Sequence, residues 1–133
     1  MGFSRYAQNR ILNATFHGST YQINSAYVAL FTTVPSDLTS GTEVSGNGYA
    51  RVGAPISSYW NPASGGVVVN SLAVSFPQAT AAWGNIYGWG VFNASGVADR
   101  VFQGSLQAPV TINSGDQFSF TAGDMMFTIV ASC

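Results

Sequence analysis

Apolar and polar residues alternate in short runs along most of this chain, and Gly, Pro, Asn, Asp and Ser separate the runs. The strongest run is Trp83-Gly84-Asn85-Ile86-Tyr87-Gly88-Trp89-Gly90-Val91-Phe92. Side chains alternate between the two faces of a strand. Ile86, Gly88, Gly90 and Phe92 therefore fall on one face, and Asn85, Tyr87, Trp89 and Val91 on the other. Both faces offer apolar surface, which predicts a central strand covered on each side. The glycines leave gaps beside large rings, where another backbone or ring can come close.

The other runs are arranged around this one. Residues 26–33 form a β-rich, apolar run stopped by Pro35, and residues 36–48 read as a long polar loop. Extended structure resumes at 49–52, and 56–60 predicts a further strand ended by Asn61-Pro62. Strands are predicted at 67–69 and 72–76, the second with Leu72, Val74 and Phe76 on one face. Two more follow at 100–106 and 109–112, then 117–121 with Phe118 and Phe120 sharing a face, then 125–130. Turn signals recur about every 8–12 residues, the spacing of a sandwich or barrel. Residues 4–17 carry the helical pattern, with Ser4 placed as N-cap and Gly18 just past the end. Ala7, Ile11 and Ala14 make one narrow stripe, and Leu12 and Phe16 pair beside it. Such a helix lies on a sheet or on a neighbouring subunit. The expected fold is an all-β, antiparallel β-sandwich in one domain, residues 1–133, with one short N-terminal helix.

Composition sharpens this picture. Only 7% of the 133 residues are charged, against about 25% in ordinary soluble domains. There is no Lys; the cations are Arg5, Arg10, Arg51 and Arg100, and the acids are Asp37, Glu43, Asp99, Asp116 and Asp124. A net charge of -1 supplies little repulsion between copies. The predicted strands also lack Lys to guard their edges. Symmetric association would cover both liabilities. Four scattered Arg make no basic stripe, which argues against nucleic acid. No apolar run approaches the roughly 18 residues of a membrane span, and residues 1–4 lack the layout of a secretion signal. Cys133 is the sole cysteine and has no partner in the chain.

Candidate chemistry is sparse. His17, the one histidine, sits where a helix dipole favours it, and no second His or internal Cys completes a zinc site. No Gly-x-Ser-x-Gly elbow is present. Asp116 and Asp124 each follow Gly in a turn, at opposite ends of one predicted strand. Roughly 26 Å of strand would separate them at about 3.3 Å per residue, far beyond the roughly 5–10 Å of a glycosidase pair. Each is expected to bond its own turn. Glu43 and Arg51 bracket the Gly-rich loop, as an ion pair that pins it or as contacts to another chain. Tyr59, Trp60, Trp83, Tyr87 and Trp89 could stack on sugar, but core or subunit-interface packing is the better reading. No catalytic residue, cofactor site or metal site is expected.

Several blocks together carry a family resemblance: Tyr27-Val28-Ala29-Leu30-Phe31-Thr32-Thr33 with Pro35; Thr42-Glu43-Val44-Ser45-Gly46-Asn47-Gly48-Tyr49-Ala50-Arg51; Phe76-Pro77 with Trp83-Gly84; Gly90-Val91-Phe92; and the turns Asn113-Ser114-Gly115-Asp116 and Ala122-Gly123-Asp124. The chain resembles a family of small tailed-phage virion proteins, often labelled tail fibre protein, with relatives similar to capsid decoration (cement) proteins. The Tyr59-Trp60-Asn61-Pro62 segment and the ending in Cys133 depart from the pattern. The resemblance implies a jelly-roll-like sandwich, structural duty and a homotrimer. The expectation is a cement protein on the capsid exterior, made in the host cytoplasm and clamping the major capsid protein. The alternative is a tail-fibre or receptor-binding module recognising surface glycan. Glu43, Tyr49, Arg51, Tyr59, Trp60, Trp83 and Trp89 are the expected interface residues, with no nucleic-acid or membrane partner.

Overall fold

A computed structural model describes residues 2–96 and 98–128. The end of the last predicted strand, residues 129–130, and Cys133 lie outside them. The chain opens with strand β1 (Gly2–Phe3) and helix α1 (Arg5–Phe16). Strands β2 (Tyr27–Thr33), β3 (Thr42–Glu43), β4 (Val52–Gly53), β5 (Val67–Val69) and β6 (Val74–Ser75) follow. Next come β7 (Gly84–Phe92), β8 (Arg100–Ile112), β9 (Ser119–Phe120) and β10 (Met126–Thr128).

The run from 83 to 92 is central, as its two apolar faces require. β7 lies between β8 and β2 in a six-stranded sheet of order β1-β8-β7-β2-β3, with β4 also paired to β2. Every pairing is antiparallel. Two ribbons, β5 with β10 and β6 with β9, cover one face of this sheet. Val28, Leu30, Trp89, Val91 and Phe102 of the sheet share a core with Val74 and Phe120 of the ribbons. On the opposite face Ala29, Phe31 and Phe92 form a second, thin cluster.

The alternation along β7 holds from Gly88 to Phe92 and slips before it. Ile86, expected beside Gly88 and Phe92, is instead fully buried in the core that holds Trp89 and Val91. The register on β8 explains this. Ile86 opposes Val110 while Gly88 opposes Ser105, so β8 inserts extra residues there, and such a bulge re-aims neighbouring side chains. The two strands predicted at 100–106 and 109–112 are accordingly one strand, bulged about Pro109. Close approach sets Gly104: a Cβ there would stand 2.5 Å from the Trp89 indole, so only glycine lets that ring lie flat on β8.

Other boundaries move. The strand predicted at 56–60 is a turn with Ser57 in the left-handed region (φ 69°), and Trp60 makes only an isolated bridge to Asn70. The run 72–76 shortens to β6: Val74 and Phe76 are buried, but Leu72 is 49% exposed. Helix α1 starts at its predicted cap, where the Ser4 hydroxyl accepts from the Ala7 N–H, and Gly18 beyond it has φ 73°. Only Ala7 of the helix is buried. The helix is held by its first turn, and residues 12–20 are all exposed.

Candidate functional site

Among the seven expected interface residues, Glu43, Tyr49, Arg51 and Trp83 meet around the Gly-rich loop. β3 and β4 pair with β2 along its free edge, and this places Glu43 beside Arg51. The pair is bidentate: Arg51 Nε donates to Glu43 Oε2 at 2.9 Å, and Nη2 to Oε1 at 2.8 Å. Tyr49 donates its hydroxyl to Oε2 at 2.7 Å and accepts from the Leu30 N–H. Arg51 Nη1 reaches across to the carbonyls of Ala94 and Gly96, at 3.1 and 2.7 Å, and its guanidinium lies 3.8 Å above the Phe92 ring. One arginine thus ties the Gly-rich loop to the turn after β7 and roofs the outer cluster.

The surroundings set the protonation states. Burial, reinforced by the hydrogen bond to Glu43, pushes the Tyr49 hydroxyl well above its ordinary value of 10.0. The hydrogen bond to Glu43 raises Arg51, outweighing the opposing effect of burial. With three donors on it, the Glu43 carboxylate is an anchor for its neighbours.

Trp83 braces the same loop from the core side. Its ring meets Tyr49 edge-on at 5.4 Å, and its indole N–H donates to Asn47 O at 2.9 Å. Asn47 in turn donates to Ala82 O. A shallow groove beside this network is lined by Glu43, Ser45, Gly46, Arg51, Ser95 and Gly96.

The other aromatics are not brought into a platform. Trp89 is 5% exposed and stacks on Phe102 and Phe127 at 5.7 and 5.4 Å. Trp60 leans on Phe127 at 5.1 Å and donates to Ala54 O. Tyr59 accepts from the Ser71 N–H through its carbonyl, and Tyr87 stands 43% exposed, apart from them. Trp83 and Trp89 are thus built into the chain's own core and present almost no surface.

Asp116 accepts from the Asn113 N–H, and Asp124 from the Thr121 N–H and hydroxyl; each carboxylate closes its own turn. His17 is the exposed C-cap of α1. Among the described residues no group of three or more His, Cys, Asp or Glu could hold a metal ion.

Two anchors escaped sequence reasoning. Asn70 is 1% exposed and uses both ends of its amide: it donates to Leu72 O and Thr121 O and accepts from the Gly123 and Met125 N–H groups. It stitches the turn between β5 and β6 to the turn between β9 and β10. Arg100 donates to the Ser36 and Thr39 carbonyls, and burial lowers its pKa. Asn in a turn and Arg at a strand start carry no local mark of such distant partners.

A family model described as Podophage GP4 fiber I protein gp80 matches residues 2–128. No curated protein matches the chain.

Proposed function

Because the chain belongs to the Podophage GP4 fiber I protein gp80 family, and so to the structural proteins of a phage virion, we propose that it is a non-enzymatic, fibre-associated building block that assembles as a homotrimer. The family description is the observation that carries the fibre placement. The build of the chain supports assembly. Its few ions are turned to internal work, with Arg51, Arg100 and Glu43 all bonded within the chain. Large apolar side chains remain outside, among them Leu12, Phe16, Leu38 and Met126. A surface poor in charge and dotted with large apolar groups is suited to lasting contact with other chains.

The role is architectural, since the aromatic residues that would stack on a glycan are dispersed or buried. The two-layer antiparallel body serves as a jelly-roll-like brick. A second reading keeps the same brick on the capsid exterior as a cement protein bound to the major capsid protein; the scarcity of charge, 7% of residues, which suits lasting burial against a shell, favours it. Stoichiometry separates the two. Quantitative gel analysis of purified particles should show a small fraction of the major capsid protein's copy number for a fibre module. Near-parity with the major capsid protein would move the assignment to cement. Binding on a glycan array would overturn the purely architectural reading.

A further inference from the structure

Two unmatched apolar features lie on this chain, one convex and one concave. The convex one is the outer half of α1. Phe16 is 82% exposed and Leu12, one turn before it, 55%. The stretch from 11 to 36 contains no Asp, Glu, Lys or Arg. The concave one is a cleft between the main sheet and the β5–β10 ribbon, and every residue lining it is apolar, including Phe3, Ile23, Ile56, Trp60 and Phe127. Its volume is about 170 Å³. A dry, apolar cavity of about 150 Å³ accepts a benzene ring, so this cleft has room for one phenyl side chain. Among the described residues, Phe16 is the only Phe or Trp of the large exposed apolar side chains.

The two cannot meet within one copy. Phe3, at the cleft, is separated from the helix by its Ser4 cap alone, and about 1.5 Å of rise per residue carries Phe16 roughly 17 Å along the axis from Arg5. We therefore propose that Phe16, with Leu12 at its shoulder, inserts into the apolar cleft of a second copy of this chain. Both halves are uncharged, so no ion is desolvated on contact. The contact is heterologous, knob of one copy into hole of the next, and such contacts close into rings when the rotation allows. The proposal rests on the self-assembly proposed above and names the surface that performs it.

Two measurements test it. Sedimentation equilibrium of Phe16→Ser should show association at least tenfold weaker than wild type, with an unchanged unfolding profile, because the ring contributes little to the fold of its own chain. For the second, Asn13→Cys, exposed one turn before an intact Phe16, and Ile56→Cys are made separately, each with Cys133→Ser, and treated with a short bis-maleimide. Cross-linked dimers should form in the mixture and not in either variant alone. Dimers of Asn13→Cys with itself would mean a two-fold seam and overturn the proposal. Wild-type association retained in Phe16→Ser would overturn it while leaving self-assembly intact. A wild-type chain that stays monomeric at every concentration would overturn both.

Discussion

The two faces of the main sheet are kept dry by different means. On the inner face aromatic mass does the work: Trp89, Phe102, Phe120 and Phe127 pack ring on ring beneath the ribbons. On the outer face the buried apolar cluster among the described residues is just Ala29, Phe31 and Phe92. That thin layer is closed by loops, which Arg51 and Arg100 hold down through backbone carbonyls. The inner face is stabilised by contact area, which no single bond controls. The outer face depends on a few directed bonds, so it should fail locally and in response to pH.

Five substitutions, one of them used only in a double-mutant cycle, would break or sharpen this contrast. Trp89→Ala on the inner face should cost about 3–5 kcal/mol, read by chemical denaturation. A cost near 1 kcal/mol would mean that the ring stack is not the main brace. Arg51→Ala on the outer face should cost about 2 kcal/mol, because it leaves a carboxylate unpaired beside an uncovered Phe92. Adding Glu43→Gln to Arg51→Ala should cost less than the sum of the two; strict additivity in that double-mutant cycle would deny the coupling.

Tyr49→Phe should have a smaller effect at neutral pH, about 1 kcal/mol, and a distinctive one in alkali. The folded hydroxyl is held protonated well above 10.0, whereas in the unfolded chain it ionises near 10. Above that pH the unfolded state binds fewer protons, so stability is full below pH 10 and falls as pH rises past it. The variant should lose part of that fall, with Tyr21, also raised by burial, supplying the rest. Identical alkaline unfolding of wild type and variant would refute this. Arg5→Ala should change stability by less than about 0.5 kcal/mol, since its 3.1 Å pair with Asp37 is 56% and 38% exposed.

The resemblance read from the sequence and the matching family model agree on a phage virion structural protein. The scarcity of charge was the less transparent signal. It reads in sequence as surface reserved for other chains. In the folded chain, part of the explanation is internal, since Arg51, Arg100 and Glu43 close loops over the outer face. Likewise Trp83 and Trp89, expected at an interface, are buried in the chain's own core. An aromatic residue at a strand position has the same local signature whether it faces its own ribbons or a neighbour.

The amino-acid order alone determined the features that arise within a few residues of one another. The Ser4 cap, the Gly18 stop, the two Asp-closed turns and the two-faced apolar run from 83 to 92 are of this kind, because capping, turn chemistry and the pleat are local effects. Only the tertiary structure decided the rest. Ile86 turned into the core because β8 bulges opposite it. Arg51 found carbonyls 43 and 45 residues away, and Asn70 joined two distant turns. The half of α1 bearing Phe16 was left facing solvent. Each of these outcomes depends on which backbone arrives next to a side chain, and that is set by how the strands pair.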